Sequence, residues 1–216
     1  MVTKLQRPVS VQGDDSKEHL GLVHVYTGNG KGKTTASLGL ALRAVGGGLN
    51  VYMIQFLKAA DTGELFTVQK YLPNMKIVQY GVKALGEQQR RIYEYAGEKK
   101  STDSTLEKAF DSTFIFMADA DEKEACRRAL EHAKYVINSG QYDLVILDEV
   151  NCALDKGLIP IQDVLDIIKN HNHVELVLTG MDAPEEIKQA ADYVSFVQKI
   201  KHPWEKGIKA RKGVEY

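Results

Sequence analysis

Residues 26–35 read Y-T-G-N-G-K-G-K-T-T, and this stretch decides the fold because it ends like a phosphate-binding P-loop. The usual spacing G-x-x-x-x-G-K-[ST], counted back from Gly32-Lys33-Thr34, requires a glycine at position 27, where this chain has Thr27. Glycines let the backbone turn its N–H groups inward around an anion, Lys33 adds a positive charge, and Thr34 offers a hydroxyl to Mg²⁺. The stretch therefore predicts a nucleoside triphosphate site with a cradle of altered shape.

The flanks of the loop support this prediction. Residues 22–26 are a short apolar strand running into the loop, and residues 34–45 are a largely apolar helix closed by three glycines at 46–48. The N-terminal dipole of that helix points at the same phosphates. A glycine-rich loop without such flanks is more commonly a plain turn, so the order of strand, loop and helix favours a nucleotide site.

Short apolar runs alternate with helical stretches beyond this unit. The predicted strands are 22–26, 50–56, 76–80, 144–147, 175–178 and 193–198, and the predicted helices are 34–45, 63–71, 122–139, 161–169 and 184–191. Alternation of this kind, with strands rich in Val, Ile and Leu, is typical of a parallel sheet covered by helices on both faces. The fold class is therefore predicted as α/β: a single-domain, RecA-like P-loop fold with a mainly parallel sheet.

The domain organisation follows from length and pattern. A chain of 216 residues with 44% hydrophobic content can bury one full core. Residues 1–20 are polar and lack periodicity, which predicts a flexible N-terminal arm, and residues 21–216 form the predicted nucleotide-binding catalytic domain. Residues 81–112 are charge-rich and weakly patterned, as expected of an insertion or a functional lid.

Composition narrows the function class and the compartment. A formal net charge of −1 argues against a general binder of nucleic acid or membrane surfaces. The two cysteines lack C-x-x-C spacing, so neither a disulfide framework nor a zinc site is indicated. The sequence contains neither a signal-peptide core nor a run of membrane-span length, and a cytoplasmic location is expected.

Residues 142–149, Y-D-L-V-I-L-D-E, form an apolar strand that ends in two carboxylates, as in the Walker B pattern. In a parallel sheet such residues emerge at the carboxyl edge, where the P-loop also lies, so Asp148 or Glu149 can hold the Mg²⁺ that bridges phosphates. The alternative is that the pair caps the next helix. Together with the glycine loop, the pattern favours the metal site.

Several motifs together resemble the P-loop type of ATP:corrinoid adenosyltransferase. The motifs are T-G-N-G-K-G-K-T-T at 27–35, R-A-V-G at 43–46, V-Y-M-I-Q-F-L-K at 51–58 with T-G-E at 62–64, L-V-I-L-D-E-V-N at 144–151, T-G at 179–180 with D-A-P at 182–184, and K-H-P-W-E-K-G-I-K-A at 201–210. The resemblance covers nearly everything from residue 22 to 216 except 81–112. The loop departs from the ordinary P-loop in the way this family does, and the tail is a second, independent match.

The resemblance implies transfer of the 5′-deoxyadenosyl group of ATP to the Co(I) of a reduced corrinoid, with triphosphate as the leaving group, in synthesis or salvage of adenosylcobalamin. It implies Lys33 and Glu149 as catalytic residues, and Mg²⁺ held by Thr34 and Glu149. It also implies a reduced flavin or flavoprotein as electron donor, and a homodimer. The triphosphate-binding residues that it implies are Gly28, Asn29, Gly30, Lys31, Gly32, Lys33, Thr34 and Thr35.

The resemblance assigns three further residues to the substrates. Arg43 would hold the nucleoside end of ATP, although an arginine near a helix end also complements the dipole and reaches solvent. Phe114 and Phe116 align with a pair of aromatic residues that the family places against the corrin, with Phe116 in place of tryptophan. Phenylalanines two apart in an extended segment point the same way and commonly fill a core, so both roles stay open.

Two other functions fit the glycine loop. A P-loop phosphotransferase or ATPase would release ADP, but the loop lacks the first glycine and no arginine-rich lid is evident. A non-catalytic, nucleotide-dependent interaction protein would bind nucleotide without turnover.

Overall fold

The computed structural model describes residues 19–59, 62–81 and 121–215, and its strands form a single parallel sheet. The strands are β1 (Val23–Thr27), β2 (Val51–Phe56), β3 (Met75–Tyr80), β4 (Leu144–Asp148), β5 (Glu175–Thr179) and β6 (Tyr193–Phe196). Among the described residues the sheet has six strands in the order β3-β2-β4-β5-β1-β6, and each pairing is parallel. The carboxyl ends of all these strands therefore lie at one edge.

Helices connect the strands and cover both faces of the sheet. They are α1 (Lys33–Gly46), α2 (Gly63–Tyr71), α3 (Glu122–Asn138), α4 (Val150–Asp155), α5 (Ile161–Lys169) and α6 (Glu185–Gln189), followed by a 3₁₀ turn at Pro203–Lys206. One hydrophobic cluster joins the sheet to α1 and α2, and a second joins it to α3, α4, α5 and α6.

The alternation of side chains along each strand separates the two clusters. In β4, Val145 and Leu147 belong to the face covered by α3, whereas Leu144 and Ile146 belong to the face covered by α1. All four side chains are buried. Burying an aliphatic side chain of this size stabilises the fold by roughly 1.5–3 kcal/mol. Because both faces of the sheet are covered, the central strands are apolar at nearly every position.

The longest described helix, α3, shows how local sequence sets an element boundary. The carboxylate of Asp121 accepts a hydrogen bond from the N–H of Glu124 at 2.8 Å and so caps the helix start. Glu122 and Glu124 in the first turn add favourable charge near the positive end of the helix dipole. The buried residues of α3 recur at helical spacing and pack on the sheet.

The observed architecture confirms the predicted fold class. The bounds of α2 and α5 match the predicted 63–71 and 161–169, while β6 ends at Phe196, two residues before the predicted end of that strand. The predicted arm (1–20) and insertion (81–112) lie outside the described residues, apart from His19, Leu20 and Gly81. Over the three described stretches, no helix combines the length and apolar character needed to cross a membrane.

Candidate active site

The glycine-rich loop lies between β1 and α1, and Gly32 forms its junction with the helix. Gly32 is the N-terminal capping residue of α1 and has φ 123°, a backbone conformation that side chains with a Cβ rarely adopt. Its carbonyl accepts the N–H of Ala36 at 2.7 Å and so begins the helix. The first N–H groups of a helix have no intrahelical acceptor, so this end of α1 can bind an anion.

Lys33 is buried against the loop that precedes it. Its ammonium donates to the carbonyl of Gly28 at 2.6 Å and to the carbonyl of Gly30 at 2.9 Å. Only 7% of Lys33 is exposed. The positive charge is therefore held at the mouth of the loop by two backbone oxygens, where it can meet a phosphate chain.

Gly28 and Gly30 are required by a close approach of the C-terminal segment. A Cβ at Gly28 would lie 2.5 Å from the carbonyl oxygen of Val197, and a Cβ at Gly30 would lie 2.8 Å from the carbonyl carbon of Gln198. The N–H of Gly30 donates to the carbonyl of Val197 at 2.7 Å, so it binds the protein itself instead of turning toward an anion as the sequence predicts. The carboxamide oxygen of Asn29 accepts the N–H of Lys199 at 2.9 Å.

Asp148 lies at the centre of a buried polar cluster beside the loop. Its Oδ1 accepts hydrogen bonds from the hydroxyl of Thr34 at 2.9 Å and from the hydroxyl of Thr179 at 2.6 Å. Its Oδ2 accepts the amide of Gln55 at 3.1 Å and the ammonium of Lys58 at 2.5 Å. Each oxygen of this fully buried side chain therefore accepts two hydrogen bonds, so its polar atoms are satisfied inside the protein.

The register of the sheet brings this cluster together. Gln55 pairs with Asp148 across β2 and β4, and Thr179 ends the neighbouring strand β5. These three residues continue the alternation on the face that α1 covers, and α1 supplies Thr34. The buried amide of Gln79 extends the cluster by donating to the Oε1 of Gln55 at 2.9 Å. The carboxyl edge of a parallel sheet thus carries polar side chains where the strand faces are otherwise apolar.

Glu149 occupies a different position from Asp148. It precedes α4 in a left-handed conformation with φ 63°, and its side chain makes no capping hydrogen bond to the helix. Its backbone N–H donates to the hydroxyl of Thr179 at 3.1 Å, and its carboxylate accepts the thiol of Cys152 at 2.9 Å. Of the two carboxylates considered from the sequence, Asp148 is the one that contacts Thr34.

The thiol of Cys152 stays protonated at physiological pH. Burial and the hydrogen bond to Glu149 raise the pKa of this thiol to about 12. Its sulfur also accepts the N–H of Met181 at 3.2 Å. Cys152 therefore joins α4 to the end of β5 as a neutral hydrogen-bonding residue.

Among the residues predicted from the sequence, Arg43 lies away from these contacts. Arg43 is exposed in the last turn of α1, nine residues after Thr34, which is roughly 14 Å along a helix axis. Its charge acts on Tyr26, where it opposes the rise in the phenol pKa that burial causes. Phe114 and Phe116 lie outside the described residues.

Sequence reasoning did not identify Gln55, Lys58 and Thr179 as site residues. Gln55 interrupts the apolar run of β2, and a polar residue in a strand buried along its whole length signals a partner inside. Lys58 carried no such signal, because a lysine just after a strand is ordinarily a solvated surface residue.

The donors at this edge suit Mg²⁺ bound together with phosphates. The hydroxyl of Thr34 and the carboxylates of Asp148 and Glu149 are hard oxygen donors, which Mg²⁺ prefers. The cluster already holds the Lys58 ammonium against Asp148, so the position accepts positive charge. Within the part of the chain that the structure describes, no group of three or more His, Cys, Asp or Glu side chains could form an all-protein metal site.

The site combines β1, the glycine loop and α1, which carries Lys33 and Thr34, with the buried Asp148 at the end of β4, two strands away from β1 in the sheet. These features define a P-loop nucleotide-binding protein of the α/β class. The profile of the family described as ATP:corrinoid adenosyltransferase BtuR/CobO/CobP matches residues 19–216. The chain belongs to this family, which confirms the resemblance drawn from the sequence motifs.

Named relatives agree with the family profile. The chain is 28% identical over 215 residues to the corrinoid adenosyltransferase of Escherichia coli strain K12, a match that covers 99% of this chain and 94% of the relative. It is 34% identical over 199 residues to the corrinoid adenosyltransferase of a Sinorhizobium species, covering 91% of this chain and 80% of the relative. The enzyme of the same name from Pseudomonas aeruginosa is 31% identical over 203 residues, covering 93% and 86%.

A solved structure, the RadB recombinase, aligns with this fold at a TM-score of 0.42 and 15% identity. The alignment covers 85% of this chain and 77% of the recombinase. The class of the fold rests on the chain's own sheet and loop.

Proposed function

We propose that this protein transfers the 5′-deoxyadenosyl group of ATP to the Co(I) of a reduced corrinoid and releases triphosphate. The observation that carries the proposal is the contact between Thr34 and the buried Asp148 beside the glycine loop, in a chain that belongs to the adenosyltransferase family. This contact supports a site in which the hydroxyl of the loop and a strand-end carboxylate lie close to one phosphate-bound cation.

The proposed step balances without a general base. The electron pair of Co(I) forms the bond from cobalt to C5′, the bond from C5′ to the triphosphate oxygen breaks, and its electron pair leaves with triphosphate. Cobalt is formally oxidised from Co(I) to Co(III). Because the nucleophile carries no proton, no group has to remove one. The site has to stabilise the negative charge that develops on the leaving triphosphate.

Residues of the loop can supply that stabilisation. Lys33 holds its ammonium at the loop mouth, and the N–H groups that begin α1 point at the same anion. We assign the triphosphate to the loop residues Gly28, Asn29, Gly30, Lys31, Gly32, Lys33, Thr34 and Thr35. The hydrogen bonds of Gly30 and Asn29 to the C-terminal segment supply part of the loop's rigidity, so only some of these residues bind through their own N–H groups.

We assign Mg²⁺ to Thr34 and Glu149, with Asp148 as the carboxylate that orients Thr34. When bound, Mg²⁺ neutralises charge on the phosphates. Thr34 and Asp148 are joined by a hydrogen bond of 2.9 Å, and Glu149 follows directly in sequence. Arg43 is assigned to the nucleoside end of ATP, and Phe114 and Phe116 to the corrin, on the family resemblance alone.

Product analysis distinguishes this function from its two alternatives. After incubation with MgATP and a chemically reduced corrinoid, an adenosyltransferase yields triphosphate and an adenosylated corrinoid in equal amounts. A phosphotransferase or ATPase yields ADP instead, and a nucleotide-dependent interaction protein yields neither product. Formation of ADP without the adenosylated corrinoid would refute the proposal.

We propose a reduced flavin or flavoprotein as the source of the electron that converts Co(II) to Co(I). The family resemblance supports this donor. Replacing the chemical reductant by enzymatically reduced flavin should sustain adenosylation from Co(II), and the absorbance of the corrinoid reports the reaction.

We also propose that the protein is a homodimer. The strand β6 lies at the outer edge of the sheet with all four side chains exposed, and the segment that follows exposes Ile200 and Trp204. A second copy that covers this edge would bury apolar surface and offer hydrogen-bond partners to the outward-facing backbone of β6. Light scattering of the purified protein measures the assembly directly.

A further inference from the structure

Lys58 forms an ion pair in the part of the site that the proposed function gives to the metal. Its ammonium lies 2.5 Å from Oδ2 of Asp148 and 3.4 Å from the hydroxyl oxygen of Thr34. Its side chain is 24% exposed, whereas that of Asp148 is fully buried. A cation on a flexible stem thus lies beside Thr34, to which the proposed function assigns Mg²⁺, and beside the carboxylate that orients Thr34.

Mg²⁺ bound at Thr34 would lie next to Asp148, which already accepts four donors and can meet a second cation only if one of them leaves. Thr179 is fixed, because its hydroxyl also accepts the N–H of Glu149, and Gln55 is fixed by its bond to Gln79. Both side chains are fully buried. Thr34 and Lys58 are the partly exposed donors, and Thr34 is anchored in the first turn of α1. Lys58, at the end of a long flexible stem, is therefore the donor that can move without opening the core.

The backbone at Lys58 is held while its side chain stays free to move. Leu57, just before it, has φ 58°, and a Cβ at Gly81 would lie 2.5 Å from the carbonyl oxygen of Lys58. The end of β2 therefore turns sharply and packs on Gly81. This arrangement fixes the starting point of the four-carbon stem, and its reach includes Thr34 in the phosphate loop.

We propose that Lys58 is a positioning residue that exchanges between two sites. Without nucleotide its ammonium neutralises Asp148, and when MgATP binds it moves from Asp148 to the oxygens of the triphosphate. Lys58 and Lys33 then contact the polyphosphate from two directions, and the metal site is released only when a second anion is available for Lys58. The proposal rests on the proposed function for the identity of the nucleotide, but the exchange itself concerns a divalent cation and a polyphosphate.

Binding measurements without a corrinoid test the exchange. The probes are Mn²⁺ alone, followed by electron paramagnetic resonance of the free ion, and metal-free tripolyphosphate, followed by calorimetry. Lys58→Met should bind Mn²⁺ about tenfold more tightly than the unmodified protein, because the competing ammonium is gone, and should bind tripolyphosphate about tenfold more weakly. The matched control is Lys76→Met, a change of the same charge at an exposed residue of β3, which should leave both affinities unchanged.

The opposite signs of the two effects separate exchange from a structural role. A residue that only supports the fold would weaken both ligands together or affect neither. If Lys58→Met does not fold, Lys58→Gln is used instead, because it keeps a hydrogen-bond donor near Asp148. Like Lys58→Met, it should bind Mn²⁺ more tightly and tripolyphosphate more weakly than the unmodified protein. Mn²⁺ binding that is equal in variant and unmodified protein, or undetectable in both, would overturn the proposal. Failure of the adenosyltransferase assay would leave these two affinities measurable, so the two proposals fail separately.

Discussion

At the scale of single residues, the site depends on where a few charges are buried. Lys33 is nearly buried and Asp148 is fully buried, but the groups that stabilise the two charges differ. Lys33 is held by backbone carbonyls, which are dipoles and can be exchanged for phosphate oxygens. Asp148 is held by a full set of donors, so its charge is already compensated. The loop is therefore the electropositive part of the site.

Replacing Lys33 tests that conclusion. Lys33→Ala should reduce the rate of adenosylation by at least ~100-fold, the scale of losing one key electrostatic stabiliser of the leaving group. The measurement is the initial rate with MgATP and a chemically reduced corrinoid. Lys70→Ala, on the exposed face of α2, is the control and should keep the rate of the unmodified protein. A near-normal rate for Lys33→Ala would show that Lys33 does not stabilise the leaving triphosphate.

The adjacent carboxylates should differ when each is made neutral. Glu149→Gln should fold normally but need a higher Mg²⁺ concentration for half-maximal activity. Asp148→Asn should also lose stability, by roughly 1–3 kcal/mol, because the new amide nitrogen cannot accept the hydrogen bonds that this carboxylate takes from buried Gln55 and Thr179. Denaturant melts and Mg²⁺ titrations of both variants give the two readings, with exposed Glu186→Gln as control. If Glu149→Gln is less stable while its Mg²⁺ requirement is unchanged, the Glu149 carboxylate serves only to hold Cys152 of α4.

At the scale of elements, the loop and the C-terminal segment form one unit. The segment after β6 runs back over the loop, where Gly28 and Gly30 leave room for its backbone and Asn29 binds Lys199. Two backbone hydrogen bonds join them, from Gly30 to Val197 and from Val197 to Thr27. Residues 197–199 and the loop motif thus belong to the same unit, although about 170 positions separate them in sequence.

A pair of glycine substitutions distinguishes this contact from ordinary loop flexibility. Gly28→Ala should lower both stability and ATP affinity, because the residue has φ 105° and its new Cβ would meet Val197 at 2.5 Å. Gly39→Ala is the control: nothing lies within 4 Å of a Cβ there, and an alanine inside α1 should stabilise the protein by about 0.5–1 kcal/mol. Thermal melts with and without ATP measure both changes. Normal ATP binding by Gly28→Ala would contradict the coupling of loop and tail.

The sequence predicted these elements unevenly, for physical reasons. The helix α2 was predicted to the residue because Gly63 opens it and the apolar pattern continues to Tyr71. The short helix α4 was missed, because six residues after a strand give too little periodicity to detect. The sequence predicted Lys33 and Thr34 as site residues because both belong to one short motif. The partnership of Lys58 with Asp148 depends on the pairing of β2 with β4, which only the folded sheet provides.

At the scale of the whole molecule, the two hydrophobic clusters are joined through the sheet, and one of them contains a buried titratable group. His132 of α3 is fully buried beside Tyr52 and Tyr80. Its Nε2 lies 3.0 Å from the hydroxyl of Tyr52, and its Nδ1 lies 2.9 Å from the hydroxyl of Tyr80. A neutral imidazole offers one donor and one acceptor, so one tyrosine can donate and the other accept. Burial lowers the pKa of His132 from 6.5 to about 4.

This lowered pKa predicts how stability varies with pH. Because the charged form is favoured in the unfolded chain, the contribution of His132 is fully present above pH 6.5 and is lost as the pH falls toward 4. Between pH 7.5 and pH 5.0 the loss should be about 2 kcal/mol, at 1.36 kcal/mol for each unit over which only the unfolded chain binds the proton. Urea unfolding at the two pH values measures it. His132→Gln should be less stable at pH 7.5 yet lose less on acidification, whereas exposed His173→Gln should keep the pH dependence of the unmodified protein. An equal loss in His132→Gln would mean that other groups set the acid sensitivity of the core.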